Sequence, residues 1–556
     1  MIELVNKKNE CDVLVVGGGI GGLMAAIAAA DEGASVIVAE KANTKRSGSG
    51  ATGNDHFVCY IPEYHKDFEE FLKMAIFVTD KSNDRNMAAK IMKRSFEVVQ
   101  DWNNWGINMK PHGEWEFNGH AMPGKMRVFL KYDGTNQKKV LTEQALKRGV
   151  RIDNYSPVTE FLLNSNKEIA GAVAIDVSTN EPKLKVYKAK TIITATGIGM
   201  RLFPSITPGW IGNVLNCPAG TGTGRATAFR LGATLINMDQ LWVHAGPKYM
   251  ERCGKATWIG YLSNSRGESL SPFVQKPSKE YGDFAADFWK DVFVEKKKDG
   301  TGPVYMNCTD TDEEDMDYMR WGLECEGATS ILDAISQQNI DLEKMGVEFC
   351  RYKPNLQGRG LLVDINHETT ISGLYCVGDE AGNFTAGIGG AAVSGRCAGE
   401  NAAKKALKKR SDHVDIDLSI VKKLQDFYSE ILSRESGASW EELNLAIQQI
   451  MDDYVGIDYV RSETKMKAGL KYLNDLEHFA HQSIRANNSH ELMRALECFD
   501  LIDLGKAVFV SALERKESRG SHQRSDFTFT NPLKDDQLVT VRQENNELVA
   551  EWRKRN

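Results

Sequence analysis

The sequence predicts an α/β fold in which a doubly wound parallel sheet, split into two sequence pieces, carries an inserted α+β domain and is followed by a helical domain. Three observations predict it. An apolar run, Asp12-Val13-Leu14-Val15-Val16-Gly17, passes through a glycine cluster into an alanine-rich segment and then into a second apolar run. The texture changes to short strands over residues 151–197, and helical periodicity takes over beyond residue 415.

The composition agrees with a large folded protein. The chain has 556 residues, 42% hydrophobic and 26% charged, which excludes both a disordered polymer and a small stapled scaffold. Its 69 basic residues are outnumbered by 76 acidic ones, so the charge balance gives no support to nucleic-acid binding. No apolar stretch reaches the roughly 20 residues of a membrane-spanning helix. The opening MIELVNKKNE is charged and unlike a secretory signal, so the expected location is the cytoplasm. Ten cysteines occur without a single C-x-x-C, which argues against zinc ribbons or iron–sulfur clusters held by this chain, and no metal site is expected.

In chain order, residues 12–17 read as a strand buried on both faces, Leu23 to Gly33 as a helix closed by its glycine, and Ser35–Glu40 as a second buried strand. Residues 64–105 show helical spacing, with Trp102 and Trp105 closing that region against the core. VTEFLL, IAGAVAI and AKTIITATG are strands, with NSNKE turning between the first two. From 246 to 344 periodicity fades, which marks the insertion. The expected units are therefore 1–245 with 345–410, the inserted 246–344, and a helical 411–556.

Gly17, Gly19 and Gly22 stand between strand and helix, with Glu40 and Lys41 ending the next strand. In this context G-x-G-x-x-G is the dinucleotide fingerprint: a tight turn, a backbone that can approach a pyrophosphate, and a helix N-terminus facing the phosphates. Glu40 can accept ribose hydrogen bonds. NAD and FAD share this adenosine half, so the first unit does not choose between them.

Later residues do. Arg46-Ser47-Gly48-Ser49-Gly50, Gly53, Ala195-Thr196-Gly197, Thr221-Gly222-Thr223-Gly224 and the run Gly373 to Gly378-Asp379-Glu380 follow one another as in the flavoprotein subunits of succinate dehydrogenase, fumarate reductase, aspartate oxidase and adenylylsulfate reductase. The chain resembles that family over nearly its whole length. The resemblance implies FAD in a Rossmann-like domain and a capping domain over the flavin. Arg46 to Gly48 and Gly53 would pass beside the ring, and Gly378, Asp379 and Glu380 would touch the ribityl chain. The histidine that carries covalent FAD in some members falls on Gly48, so the flavin is expected to be noncovalent.

The resemblance also supplies substrate-site candidates. His244 falls on a family site histidine, Lys290 on the arginine proton donor, and Ala386-Gly387-Ile388-Gly389 on a dicarboxylate-binding arginine that is missing here. Lysine lacks the planar fork of arginine, so fumarate or succinate chemistry is disfavoured. Asp299 to Met306 and Ala392 to Arg396 look most like the adenylylsulfate reductase branch, but that branch's substrate-site asparagine falls on Val58. His56 is near enough to the flavin loop to donate a proton or bind an anion, unless it is structural. Arg266 is either a cap residue of the site or an exposed turn residue. Arg359 is either an anion ligand or a surface charge. Glu517 to Asp526 resembles the family's C-terminal signature, expected to tie the helical domain to the FAD domain.

The expected function is that of a FAD-dependent oxidoreductase component acting on a small anionic substrate, whose electron partner is an iron–sulfur subunit. The alternatives are true adenylylsulfate reductase, fumarate reductase or succinate dehydrogenase, and a pure electron-transfer subunit.

Overall fold

The computed structural model describes residues 2–5, 9–119, 121–207, 211–248, 258–271, 276–281, 289, 291–409, 414–545 and 547–555. Its main sheet runs, in spatial order, Arg151–Asp153, Val36–Ala39, Glu10–Val16, Lys183–Thr194, Ile169–Asp176 and Val158–Leu163, with Leu374–Cys376 also paired to Lys183–Thr194. The first four strands and Leu374–Cys376 are parallel, and the hairpin side is antiparallel. A parallel sheet is covered on both faces, and accordingly Val13 to Val16 and Val36 to Ala39 are all buried.

The helix Ile20–Asp31 ends before Gly33, whose φ is +87°, as the alanine-rich segment predicts. It packs against the long helix Gly387–Lys408, which brings the second sequence piece back to the first. The crossing is close because small residues meet there: a Cβ on Gly395 would collide with the Gly21 carbonyl, and one on Gly399 with that of Ala25. The expected helical region contains Phe68–Val78, Arg85–Lys93 and Ser95–Trp105. Trp102 is fully buried there, and Trp105 packs half-buried against the same core.

The inserted region has its own small sheet, ordered Ala245–Pro247, Val347–Arg351, Val304–Asn307 and Tyr261–Ser263, beneath the helices Glu313–Cys325 and Thr329–Gln337. A separate apolar cluster including Trp258, Met316, Leu323 and Phe349 fills it. Its last strand, Val347–Arg351, lies beyond the 246–344 stretch expected from texture, because that strand pairs back to Ala245–Pro247.

Among the described residues, four α-helices follow the second FAD-domain piece: Leu418–Ser433, Trp440–Val455, Glu463–Ser483 and Ser489–Glu514. The chain does not stay helical over the rest of 411–556. Gln537–Glu544 and Glu547–Lys554 form a hairpin whose first strand pairs with Leu235–Ile236, and Leu235–Ile236 in turn pairs with Gly360–Leu361. No described helix is long and apolar enough to cross a membrane.

Candidate active site

A cavity of about 1210 Å³ begins at the glycine cluster and extends to the underside of the inserted domain. Its nucleotide end is main chain. Gly17 takes φ +97° at the strand's end, where a Cβ would lie 2.5 Å from the Ala195 carbonyl oxygen. A Cβ on Gly22 would overlap the Gly17 carbonyl, so the turn and the helix close only with glycine at both positions. A Cβ on Gly19, by contrast, would meet no protein atom within 4 Å: the strip beside it is open cavity.

Glu40, 5% exposed, accepts from the backbone N–H of Gly18 at 2.5 Å and of Ala42 at 2.7 Å, bracing the loop while it lines the cavity. Lys41 lines it too, but its ammonium is spent on the Ala219 carbonyl at 2.8 Å and on Glu497 at 2.6 Å. Lys138, missed in the sequence because no motif marks it, donates to the Gly18 carbonyl. Burial pushes its pKa down to about 8, against the opposing pull of Glu40.

Arg46, Ser47, Gly48 and Gly53 line the middle of the cavity with Ala195, Thr196 and Gly197. Ser47 Oγ is buried with no hydrogen-bond partner among the described residues. That orphan hydroxyl and the open strip at Gly19 fit a polar, flat cofactor between the flavin loop and the glycine turn. Gly378 and Asp379 line the same stretch, and Asp379 accepts from Thr385 Oγ1 at 2.5 Å. Glu380 does not reach the cavity, contrary to expectation. Fully buried, it accepts from Thr194 Oγ1 at 2.8 Å and from Thr196 N at 2.5 Å, which makes it a latch on the Ala195-Thr196-Gly197 strand end. Thr223 donates a hydrogen bond to Asp500 of the helix Ser489–Glu514.

His56, His244 and Arg359 all line the cavity, the last two both against the Trp242 ring. Arg266 does not: it is exposed on a turn away from the cavity. Lys290 lies outside the described residues. His56 Nδ1 is 2.5 Å from Asp55 Oδ1, and the other oxygen of Asp55 is 2.5 Å from Lys131 Nζ. Asp55 and Lys131 are 0% and 1% exposed, a buried ion pair that fixes the histidine's orientation from behind. Glu326, at the end of the inserted domain's helix, is 3.7 Å from the same Nδ1. Asp55, His56 and Glu326 are near enough to share a metal ion, but the Lys131 ammonium already balances Asp55, so the group reads as a proton-holding network. The same helix end touches the flavin loop, since Thr52 Oγ1 donates to the Glu326 carbonyl at 3.1 Å and a Cβ on Gly53 would strike the Cys325 carbonyl.

Arg359 is 5% exposed. Its Nη1 lies 2.5 Å from Asp80, and it also donates to Ser82 Oγ at 3.2 Å and the Gln240 carbonyl. Burial alone would raise the Asp80 pKa, but the Arg359 guanidinium outweighs it and holds the carboxyl below its ordinary value. His244, half-buried, stacks edge-on against Trp242 with ring centroids 5.5 Å apart. Arg515, Arg519 and Arg555, from after the last long helix, complete this wall. The C-terminal signature thus has two jobs. Arg515 binds Asp239 of the FAD domain, as a tie between domains requires, while Arg519 lines the cavity.

Comparison with known proteins agrees with this geometry. Residues 12–395 match the FAD binding domain family, and residues 444–555 match the fumarate reductase flavoprotein C-terminal family. A fumarate reductase (CoM/CoB) subunit from Methanothermobacter marburgensis is 23% identical over 554 residues, spanning 94% of this chain and 95% of the relative. The adenylylsulfate reductase structure from Archaeoglobus fulgidus superposes with a TM-score of 0.84 at 22% identity, covering 99% and 97% of the two chains. The FrdA chain of E. coli quinol fumarate reductase superposes at 0.82 with 20% identity, covering 99% and 97%. Fold, cofactor cradle and family matches converge, and the chain belongs to the FAD binding domain family, as a FAD-dependent oxidoreductase related to the fumarate reductase flavoproteins and sharing its fold with adenylylsulfate reductase.

Proposed function

We propose that this chain is the catalytic flavoprotein subunit of a cytoplasmic complex that reduces or oxidises a small anionic substrate other than fumarate or succinate, with an iron–sulfur subunit carrying the electrons. The carrying observation is the Lys131, Asp55, His56 relay, which brings an imidazole to the cavity wall three residues beyond Gly53 of the flavin loop. FAD bound in the cradle supplies hydride exchange with the substrate. Asp55 holds His56 with its proton on Nδ1, so Nε2 is the atom that gives or takes the substrate proton. Lys131 pairs with Asp55 behind the imidazole, and Glu326 lies against it from the inserted domain. Arg359, braced by Asp80, orients the anion, and the inserted domain keeps water out. Gly387 or Ile388, where a dicarboxylate-gripping arginine would stand, offers no fork. Among the rivals, adenylylsulfate reductase keeps support from the Asp299 to Met306 segment.

The test uses the FAD-loaded protein reduced by dithionite under argon. The expected result is slow or no reoxidation by fumarate and faster reoxidation by another unsaturated acid or thioester, with His56→Gln losing about 10²–10⁴ in rate. Rapid fumarate-dependent reoxidation, or a His56→Gln variant as fast as wild type, overturns the reading. Flavin bleaching by sulfite with AMP-dependent reduction moves the assignment to adenylylsulfate reductase. Acid precipitation should release all the flavin to the supernatant, as Gly48 in place of histidine requires; flavin kept by the pellet contradicts that.

A further inference from the structure

At the substrate end, the arginines and carboxylates pair off unevenly. Arg359 is held by Asp80. Arg515 is held by Asp239 and by Glu517, the latter at 2.6 Å, and Arg519 by Glu517 at 2.8 Å and Asp535 at 2.7 Å. Arg461 adds a further buried guanidinium beside Asp239. Every carboxylate of the group is engaged by one of these four.

Arg555 is the remainder. It follows the strand Glu547–Lys554, its backbone N–H is fixed by the Asp536 carbonyl at 2.7 Å, and it lines the cavity with Arg519, Gln240 and Asp80. Its Nε is buried with no hydrogen-bond partner among the described residues. Burial, with Arg515 and Arg519 adding to it, pushes its pKa down despite the carboxylates nearby. A guanidinium stays charged in proteins, and a buried donor left unpaired is costly. The group that relieves it is an oxyanion, which a guanidinium can grip through two parallel N–H bonds.

We infer that Arg555, with Arg519 beside it, forms an oxyanion subsite on the cavity wall that takes a carboxylate or phosphate group of the substrate. The inference rests on the proposed function in one respect, that the cavity's substrate is an anion. It makes the C-terminal hairpin a specificity element.

The test uses the full-length, FAD-loaded protein. Inorganic phosphate and malonate are titrated separately, with binding read by calorimetry and by perturbation of the flavin absorption band. At least one probe should bind saturably. Arg555→Gln should weaken it at least about tenfold, and Arg555→Lys, which keeps the charge but not the fork, by less. Arg266→Gln, an exposed turn residue outside the cavity, should bind like wild type. Flavin content and melting temperature of Arg555→Gln should match or exceed wild type, because a half-buried guanidinium with an unpaired Nε has been removed. Tighter phosphate binding assigns a phosphoryl group to the subsite, and tighter malonate binding a carboxylate. Failure of both probes to bind, or equal binding by Arg555→Gln, overturns the inference. His56→Gln should bind the probe normally while losing turnover. A subsite that binds through Arg555 in a protein that turns over no small acid would refute the proposed function alone.

Discussion

At the nucleotide end of the cavity the wall is main chain, folded by Gly17 and Gly22 within one short stretch. At the substrate end it is side chains brought from residues 56, 359, 519 and 555. The first end is built by exclusion, because any Cβ at Gly22 would overlap a carbonyl. The second is built by compensation, with the Lys131 and Arg359 charges matched by Asp55 and Asp80 from distant segments. The nucleotide end should therefore fail through shape, and the substrate end through unbalanced charge.

The largest effect expected from that contrast is at Asp55. Asp55→Asn leaves Lys131 buried without its counter-charge, which should cost about 3–5 kcal/mol of stability in a denaturant melt and also slow turnover. A variant as stable as wild type would show that the ion pair does not hold this end. At the other end, Gly22→Ala should leave secondary structure near wild type by circular dichroism but lower FAD affinity by about a hundredfold, or ~3 kcal/mol, because the helix must move off the turn. Full flavin occupancy would mean that the clash relaxes cheaply. Glu40→Ala removes a brace on that turn and a ribose acceptor, and should weaken FAD by about 1–3 kcal/mol in apoprotein titrations without slowing the proton step. A loss confined to turnover would break the division between the two ends.

The smallest effect is a pH dependence at the joint between the FAD domain and the helical domain. Arg230 is shared by Glu160, Asp500 and Asp503. Burial, only partly offset by Arg230, raises Glu160 to about 7 and Asp500 to about 6. With folded values above the unfolded ones, the folded state holds protons that the unfolded chain has released. The stabilisation from this cluster is complete below the ordinary carboxylate range and is lost as pH rises through 6 to 7. Melting curves from pH 5 to 8 should therefore show a downward slope that Glu160→Gln reduces, a change of order 1 °C per pH unit for a protein of this size. An unchanged slope in that variant would place the dependence elsewhere.

The nucleotide end was legible because its constraint is local. The strand, the glycines and the acidic residue that ends the next strand all fall between Glu10 and Glu40, and each residue type follows from backbone geometry. Glu380 shows the limit of that reading: the motif marked its position, but only packing against Thr194 and Thr196 shows that it faces away from the cavity. The substrate end was half legible. His56, His244 and Arg359 could be singled out, but nothing in the spacing of Asp80 or Arg555 joins them to Arg359, because that link is made across the fold. The C-terminal hairpin did carry a signal. Leu538, Val539 and Val541, then Val549 and Trp552 after a pair of asparagines, make two β-rich runs separated by residue types common in turns. The long helical texture before it masks that pattern.

The hairpin's place in the sheet also bears on how the protein is made. Synthesis delivers the glycine turn first, and the strands Leu235–Ile236 and Gly360–Leu361 emerge well before Gln537–Glu544, which pairs along the free side of Leu235–Ile236. Until those last residues leave the ribosome, that edge stands open, and an open edge invites pairing with another chain. A cell that makes this protein must shelter the unfinished wall of the cavity through most of its translation.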